Sequence, residues 1–345
     1  MISKIIDERL IEQCSELIES AESFCIVTHI GPDGDAIGSS LAMMHFLRKI
    51  GKNPVRVIVP NAFPDFLRWM PGSEEILIYE EQPEVCNEYF RTSDVILCLD
   101  FNSLNRIGPA QDIVRSSEAK ILLLDHHLYP ESFADVTISY PLMCATCEIV
   151  FRVICRMGYA SALDLNIAEC IYTGLMTDTG NFSYNSNNAE LYIIVSELMR
   201  LGIDKDSIHR NVFDNYSYQR MRLMGYCLYK KMQIFPQYGT ALITLSDDEL
   251  QQFFFKPGDA EGIVNLPMSI NGIFFSCMLR EDKEHDEIKV SMRSQGTFPA
   301  NQVAKDLFNG GGHLNAAGGK STESLEATIQ KFIEHLPDYF EKQNN

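Results

Sequence analysis

Asp125, His126 and His127 follow the apolar run ILLL, and all three are residue types that bind metals or transfer protons. A continuous apolar run of this kind is typical of a buried strand in a parallel sheet. Two other apolar runs, SFCIVTH and DVILCLD, end in the same way on His29 and Asp100. Because open α/β sheets bind ligands beyond the carboxyl ends of their strands, we expect these side chains to meet at one edge of a sheet.

Three more aspartates could join this group. Asp33 and Asp35 lie in the turn GPDGD after His29, and Asp178 lies in the stretch GLMTDTGNF, in a loop after a predicted helix. A single aspartate in such a turn usually caps a helix, which is how Asp33 would be interpreted if it stood alone. Burying several carboxylates and imidazoles together is costly unless a counter-charge is present.

Divalent cations would provide that counter-charge. Carboxylate and imidazole ligands without thiolates suit Mn²⁺ or a similar ion. Two such ions about 3.5–4 Å apart, bridged by one carboxylate, form a known kind of site for phosphoryl hydrolysis. The residue types therefore predict a site for two divalent metal ions, with Mn²⁺ favoured.

The order of strand-like and helix-like segments predicts the fold class. A chain of 345 residues exceeds one ordinary core and indicates two domains. Apolar runs alternate with helical patterns over residues 1–202, which predicts a doubly wound α/β domain with a parallel sheet. Residues 203–238 are interpreted as a polar, irregular linker. Residues 239–345 predict a smaller α/β domain that contains a hairpin with its turn at 281–286.

Charge and hydropathy exclude some classes of partner. The formal net charge is −18, whereas proteins that grip long duplex nucleic acid usually have a basic surface. A small anionic substrate remains compatible with this charge if metal ions supply local positive charge. The N-terminus has no signal-peptide core, and no apolar run approaches the roughly 20 residues that span a bilayer. We therefore expect a soluble, cytoplasmic protein with no membrane contact.

Ten scattered cysteines indicate reduced, buried thiols rather than a disulfide framework. Cys144 and Cys147 form a lone C-x-x-C pair. A structural zinc site needs four ligands, and no second pair has suitable spacing. We interpret this pair as packing at the start of a helix.

The ordered motifs of this chain resemble those of the DHH phosphoesterase superfamily. The motifs are H-x-x-x-D-x-D from His29, LCLD, the tripeptide D-H-H, and GLMTDTGNF. The later stretches SMRS and NGGGHLNAAGG resemble the DHHA1 domain that often follows, so the resemblance covers nearly the whole chain. Within the superfamily the chain is most similar to the stand-alone nanoRNases. These are oligoribonucleases that also act as phosphatases on 3′-phosphoadenosine 5′-phosphate (pAp).

The resemblance implies a role for each metal-site residue. The implied ligands are His29 and Asp33 for one ion, Asp35, His126 and Asp178 for the other, and Asp100 for both. His127 would contact the scissile phosphate and could protonate the leaving oxygen. Asp125 would orient a histidine through its second ring nitrogen.

The resemblance also implies substrate contacts, and an active site in a cleft between the two domains. The implied contacts in the second domain are Arg293, Ser294, Gly311, Gly312 and His313. Arginine offers a planar fork for phosphate, and glycines let backbone N–H groups approach an anion. Arg106 of the first domain is a further candidate phosphate contact, although a solvated loop arginine would read the same way.

Several functions remain open at this stage. The favoured one is hydrolysis of short RNA or DNA oligonucleotides and of nucleotide bisphosphates, and the closest rival is cleavage of cyclic or linear dinucleotides. Family II pyrophosphatases share the first-domain motifs but carry S-R-K-K where this chain has SMRSQ, and RecJ-like exonucleases are typically longer. A regulatory nucleotide-binding protein or a metal-stabilised scaffold would keep the fold without turnover. The polarity of attack and the oligomeric state, including a homodimer, stay open.

Overall fold

A computed structural model describes residues 3–341 of the chain. The chain divides after Asn215 into two compact units, which we call unit 1 and unit 2. Residues 1–2 of the predicted first domain and residues 342–345 of the predicted second domain lie outside the described residues. The two units are described separately below.

Unit 1 is built on a six-stranded parallel sheet. Its strands are β1 (Phe24–Val27), β2 (Val55–Val59), β3 (Leu77–Ile78), β4 (Val95–Leu99), β5 (Lys120–Asp125) and β6 (Val136–Ser139). The strand order is β3-β2-β1-β4-β5-β6, and every neighbouring pair is parallel. This is a doubly wound order: the chain adds strands towards one edge as far as β3 and then adds β4, β5 and β6 on the other side of β1. The predicted α/β fold is therefore confirmed for this unit.

Helices cover both faces of the sheet, which explains the continuous apolar runs. The helices of unit 1 are α1 (Glu8–Ser20), α2 (Gly34–Lys49), α3 (Pro83–Thr92), α4 (Gln111–Ser116), α5 (Thr146–Arg156), α6 (Leu165–Asp178), α7 (Ala189–Arg200) and α8 (Lys205–Phe213). Successive residues of β1 enter different cores. Phe24 and Ile26 pack with α2, α5 and α6, whereas Cys25 and Val27 pack with α3 and the other face.

Helices α2 and α6 pack very closely because glycines face the contact. A Cβ on Gly38 would lie 2.6 Å from the carbonyl oxygen of Cys170, and a Cβ on Gly174 would lie 3.1 Å from the Cα of Asp35. Larger residues at these positions would push the helices apart. This packing holds the start of α2 and the end of α6 side by side, and both carry predicted metal ligands.

Within residues 216–341, unit 2 contains a second six-stranded sheet and four α-helices. Its strands are β7 (Gln233–Phe235), β8 (Thr240–Leu245), β9 (Phe275–Asp282), β10 (Glu287–Ser294), β11 (Gly311–His313) and β12 (Ala316–Ser321). Its helices are α9 (Tyr218–Tyr226), α10 (Asp247–Gln252), α11 (Ala300–Phe308) and α12 (Leu325–Glu341). The order is β11-β12-β10-β9-β8-β7, with only β8 and β9 parallel. The predicted hairpin is the pair β9–β10.

The predicted linker 203–238 is largely ordered secondary structure, so its interpretation as irregular was wrong. It contains α8, α9, one π-helical turn (Cys227–Lys231) and β7. Two of its polar residues are helix caps: Asp204 accepts from the N–H groups of Asp206 and Ser207, and Ser217 accepts from Arg220 N–H. Cap residues and loop residues are chemically the same, which is why the sequence pattern misled.

No helix within residues 3–341 is long and apolar enough to cross a membrane. All ten cysteines are free, and nine of them are buried. Burial raises the pKa of the Cys170 thiol, so it stays protonated.

Candidate metal centre

The predicted ligands lie at the carboxyl ends of the central strands, where the order of strand addition along the sheet reverses. His29 follows β1, Asp100 follows β4, and His126 follows β5. These strands are neighbours in the order β1-β4-β5, so their carboxyl ends bring the three side chains to one edge. Asp100 adopts a left-handed conformation with φ 67° and donates its N–H to Leu124 O of the adjacent strand. That bend ends β4 at the site.

Helix α2 supplies two further carboxylates. Asp33 is its N-cap, and its Oδ1 accepts from the N–H groups of both Asp35 and Ala36 at 3.0 Å. The capping role expected of a lone aspartate is therefore present. Because both bonds use Oδ1, the second oxygen of Asp33 is left for a ligand role. Asp35, in the first turn of α2, is fully buried.

Asp100 joins three groups of potential ligand atoms, each with its atoms within 4.8 Å of one another. The groups are His29, Asp33 and Asp100; Asp35, Asp100 and His126; and Asp100, Asp125 and His127. The first two match the two predicted metal sites, with Asp100 common to both. Asp178 lies beside the second group, with its Oδ2 3.2 Å from His126 Nε2.

Backbone carbonyls fix the orientation of two histidines. His29 Nδ1 lies 2.9 Å from Ile30 O, and His126 Nδ1 lies 3.2 Å from Met143 O. A carbonyl oxygen can only accept, so each Nδ1 carries the hydrogen and each Nε2 has the lone pair when the ring is neutral. The Nε2 atoms are the ones near Asp100, at 3.4 Å for His29 and 3.5 Å for His126. This is the usual arrangement of histidines that bind metals.

His127 is oriented by a carboxylate instead. Its Nδ1 lies 2.7 Å from Asp125 Oδ1, and Asp125 is fully buried at the end of β5. The other oxygen, Asp125 Oδ2, has no hydrogen-bond partner among residues 3–341. A buried carboxylate oxygen without a partner is costly, and a water molecule or cation would satisfy it.

The N-terminus of α5 holds two of the predicted ligands in place. Asp35 accepts from the N–H groups of Thr146 and Cys147, at 2.6 and 2.9 Å. The Thr146 hydroxyl donates to Asp100 Oδ1 at 2.9 Å. Backbone N–H groups at a helix start carry partial positive charge and favour carboxylates. Thr146 therefore fixes one predicted ligand through its backbone and another through its side chain.

Sequence reasoning missed Thr146 and the buried ion pair behind it. Glu148 Oε2 accepts from Cys144 N–H at 3.1 Å, while its Oε1 accepts from Arg152 at 2.7 and 2.9 Å. Both Glu148 and Arg152 are almost fully buried. The pair steadies the segment that offers Met143 O to His126. The signal in the sequence is the stretch CATCEIVFR, in which Glu148 and Arg152 are four residues apart in a predicted helix.

The pKa values of the cluster carboxyl groups are shifted in opposite directions. Burial, followed by the charge of Asp100, raises the pKa of Asp35 to about 8. Burial also raises the pKa of Asp178 well above its usual value. The pKa of Asp100 is held well below its usual value, because hydrogen bonds from His126 and His29 outweigh the opposing effect of burial.

The pKa of His126 is shifted upwards by the same carboxylates. Burial alone would lower the pKa of His126, but Asp100, Asp178 and Asp35 outweigh it and raise that pKa well above its usual value. The carboxylates of the cluster thus compete for protons in the absence of another cation. Oxygen and imidazole donors with no thiolate ligand, the partnerless Asp125 oxygen and the crowded carboxylates all fit divalent metal ions.

Arg106 lies next to the cluster. Its carbonyl oxygen accepts from Ile30 N–H at 2.8 Å, and its guanidinium charge opposes the rise in the pKa of His29. The side chain is exposed, so the structure brings this candidate close to the site and leaves it accessible.

The candidate contacts of unit 2 gather at one end of its sheet. Arg293 pairs with Ala316 in β12, which also pairs with His313 of β11. Gly312 has φ 134°, and a Cβ there would lie 2.5 Å from Ala316 O, so glycine is required. Gly311, which precedes it, is exposed.

Ser294 differs from the expectation of a direct contact. Its side chain is buried; Oγ donates to Phe298 O at 2.7 Å and accepts from Asn315 Nδ2 at 2.8 Å. Both bonds are internal to unit 2. Ser294 therefore supports the loop at this end of the sheet rather than offering its hydroxyl.

Two family models match the chain. The model of the DHH family N-terminal domain matches residues 23–175, and the DHHA1 domain model matches residues 241–342. The chain belongs to the DHH family of phosphoesterases, and it is a hydrolase that acts on phosphoester bonds.

Individual relatives agree with this assignment. The chain is 31% identical over 306 residues to the bifunctional oligoribonuclease and PAP phosphatase NrnA of Thermus thermophilus, covering 88% of this chain and 86% of that protein. The crystal structure of an exopolyphosphatase-related protein from Bacteroides fragilis has a TM-score of 0.94 at 50% identity over the whole of both chains. The cyclic-di-AMP phosphodiesterase PdeA of Listeria monocytogenes is 25% identical over 95% of this chain and 49% of that protein.

Proposed function

We propose that the protein hydrolyses short oligonucleotides to mononucleotides and removes a phosphate from pAp. The observation that carries the proposal is that three groups of potential ligand atoms share Asp100. Asp100 lies at the edge of the parallel sheet where the order of strand addition reverses. The two activities for which the Thermus thermophilus relative is named, oligoribonuclease and PAP phosphatase, support the substrate class. The acidic chain, with a net charge of −18, agrees with short substrates rather than long duplexes.

The proposed ligands are those that the ordered motifs imply. His29 and Asp33 would hold one cation, Asp35, His126 and Asp178 the other, and Asp100 both. Bound there, divalent cations such as Mn²⁺ would supply Lewis-acid chemistry, stabilising charge on a phosphate and activating water.

His127 and Asp125 would take part in proton transfer to the leaving oxygen. The Asp125 contact at Nδ1 leaves Nε2 as the atom of His127 that would hold a proton for the leaving oxygen. The buried Asp125 carboxylate would stabilise the charged imidazolium while that proton is held. Loss of the contact would leave the ring free to rotate and to change tautomer.

Unit 2 would bind the part of the substrate beyond the scissile phosphate. Arg293 would contact a phosphate through its planar guanidinium, and backbone N–H groups of Gly311 and Gly312 would approach an anion closely. His313 is placed by the same strand pair and would join them. Arg106 of unit 1 would add a further positive charge near the reacting phosphate.

Product analysis with Mn²⁺ on a small panel tests the proposal. The panel contains pAp, pGpG, cyclic di-AMP, pyrophosphate, polyphosphate and 5′-labelled RNAs from two to about ten nucleotides, a range suited to a small-molecule site. We expect the fastest release of mononucleotides from the shortest RNAs, together with phosphate from pAp. A matched reaction with a chelator should release neither.

The alternatives are separate outcomes of the same panel. Cleavage of cyclic di-AMP alone would favour the activity for which PdeA is named, and the similarity to PdeA spans 95% of this chain. Cleavage of linear dinucleotides without cleavage of longer RNAs and without phosphate release from pAp would favour a linear-dinucleotide phosphodiesterase. Turnover of polyphosphate or pyrophosphate alone would keep the metal site and overturn the substrate class. No turnover of any compound would indicate a regulatory nucleotide-binding protein.

A further inference from the structure

Tyr129 lies two residues after His127 in an unusual conformation. Its φ is 60°, in the left-handed region, and its side chain is 85% exposed. A bulky residue with positive φ is an outlier, because its Cβ approaches the backbone carbonyl. Such conformations persist only where the surrounding structure imposes them, and they concentrate at functional sites.

Asn102 imposes this conformation from both sides. Its side-chain Nδ2 donates to Leu128 O at 2.7 Å, immediately before Tyr129, and its backbone carbonyl oxygen accepts from Glu131 N–H at 2.8 Å, two residues after Tyr129. The Glu131 carboxylate in turn accepts from Leu104 N–H at 3.3 Å. Asn102 follows Asp100 by two residues, so the turn around Tyr129 is tied to the loop of the central carboxylate.

Packing does not explain an aromatic residue at this position. The ring is mostly in solvent, so its burial offsets little of the backbone strain. Glycine or asparagine would adopt the same φ at lower cost. The backbone of the turn thus holds a large aromatic side chain at the surface, two residues after the histidine assigned to the scissile phosphate.

The distances suit a nucleotide. The Cα atoms of His127 and Tyr129 are at most about 7 Å apart, because each residue extends the chain by about 3.6 Å at most. A tyrosine ring reaches several ångströms beyond its Cα, which is comparable to the separation between a phosphate and its own base. Aromatic side chains bind unstacked bases by stacking, with little preference for sequence.

We propose that Tyr129 stacks on the nucleobase attached to the phosphate at the metal centre. This inference rests on the proposed function and deepens it by naming the contact that separates nucleotides from other phosphate esters. Tyr129 is a positioning residue: it holds the base, while the metal ligands and His127 act on the phosphate. Compounds without a base would lose only this contact.

Calorimetric titration of AMP and ribose 5-phosphate into the full chain with Mn²⁺ tests the contact without turnover. The proposal predicts that the wild type binds AMP more tightly than ribose 5-phosphate. Tyr129→Ala should weaken AMP binding roughly 5- to 100-fold and leave ribose 5-phosphate unchanged, as expected for one lost stacking contact. Tyr129→Phe should keep the discrimination because it keeps the ring.

Two further variants separate stacking from turn geometry. Tyr129→Gly removes the ring while accommodating the positive φ, so it should lose discrimination as Tyr129→Ala does. Tyr229→Ala removes another tyrosine of similar exposure, 82%, from the π-helical turn of unit 2 and should bind both compounds as the wild type does.

The outcomes distinguish this inference from the proposed function. Equal binding of AMP and ribose 5-phosphate by the wild type, binding of neither, or unchanged discrimination in Tyr129→Ala and Tyr129→Gly would each overturn the stacking contact. Hydrolysis of oligonucleotides by the wild type would still stand in those cases. Conversely, Tyr129-dependent discrimination without hydrolysis of the panel would support the contact and reject the hydrolytic function.

Discussion

At the scale of single residues, Thr146 holds two proposed metal ligands in place although it lies outside the sequence motifs. Its hydroxyl donates to Asp100 Oδ1, the carboxylate common to both proposed metal sites. Its backbone N–H binds Asp35 and would do so with any side chain. The side chain and the backbone of Thr146 can therefore be tested separately.

We predict that Thr146→Val weakens Mn²⁺ binding roughly 10- to 100-fold, the usual effect of losing a partner of a metal ligand. Valine keeps the shape of threonine but removes the donor, so Asp100 loses its orientation. Thr146→Ser keeps the hydroxyl and should bind nearly as the wild type does. Calorimetric titration of the metal-free protein measures the affinity; equal affinities in all three proteins would contradict this role.

At the scale of elements, the sequence was sufficient wherever a strand ended on a chemically distinctive residue. His29, Asp100 and the D-H-H tripeptide were predicted to meet because the carboxyl ends of parallel strands meet. The strand order itself was not predicted, and the structure places β1, β4 and β5 side by side. Apolar runs and alternating helices carry this information locally, one element at a time.

The support around the ligands could not be predicted because it depends on tertiary contacts between distant residues. The bond from Thr146 N–H to Asp35 joins residues 111 positions apart. The hydrogen bonds of Asn102 with Leu128 and Glu131, on either side of Tyr129, join residues 26 or more positions apart and leave no pattern in the sequence. Residues 203–238 were misjudged because capping residues resemble loop residues.

Gly174 of α6 offers a test at this scale. A Cβ there would overlap Cys147 Sγ and lie 2.8 Å from Asp35 Oδ1. We predict that Gly174→Ala lowers the free energy of unfolding by about 1–3 kcal/mol through overpacking, and weakens Mn²⁺ binding by displacing Asp35. Urea unfolding with and without Mn²⁺ measures both effects.

Gly225 of α9 provides the matched control. No atom lies within 4 Å of a Cβ built there, so Gly225→Ala should gain helix propensity, up to about 1 kcal/mol, with unchanged Mn²⁺ binding. If both alanine variants behaved alike, close α2–α6 packing would not be what positions Asp35.

At the scale of the whole molecule, protons and metal ions compete for the same carboxylates. The pKa of Asp35 is raised to about 8 in the metal-free protein, chiefly by burial, and that of Asp178 is raised as well. Asp35 is therefore largely protonated at neutral pH, and it must lose its proton to bind a cation. The formal net charge of −18 counts Asp35 as ionised, so the metal-free site is less negative than this count implies.

We predict that Mn²⁺ affinity rises as pH increases from about 6.5 to 8.5, and that binding releases protons. The sign follows from the raised pKa values: below about 8 a proton must leave Asp35, and above it the carboxylate is already ionised. Titrations in two buffers with different ionisation enthalpies measure the released protons. An affinity that is flat across this range, with no buffer dependence, would contradict the assigned ligands.

The most direct test of the central claim is activity against metal content. The metal-free full chain is titrated with Mn²⁺ while mononucleotide release from a dinucleotide is followed, beside Asp100→Asn, which keeps a residue that tolerates positive φ. Our account predicts no activity without metal, full activity at about two ions per chain, and a folded but inactive Asp100→Asn. Full activity in the presence of a chelator, or in Asp100→Asn, would contradict it.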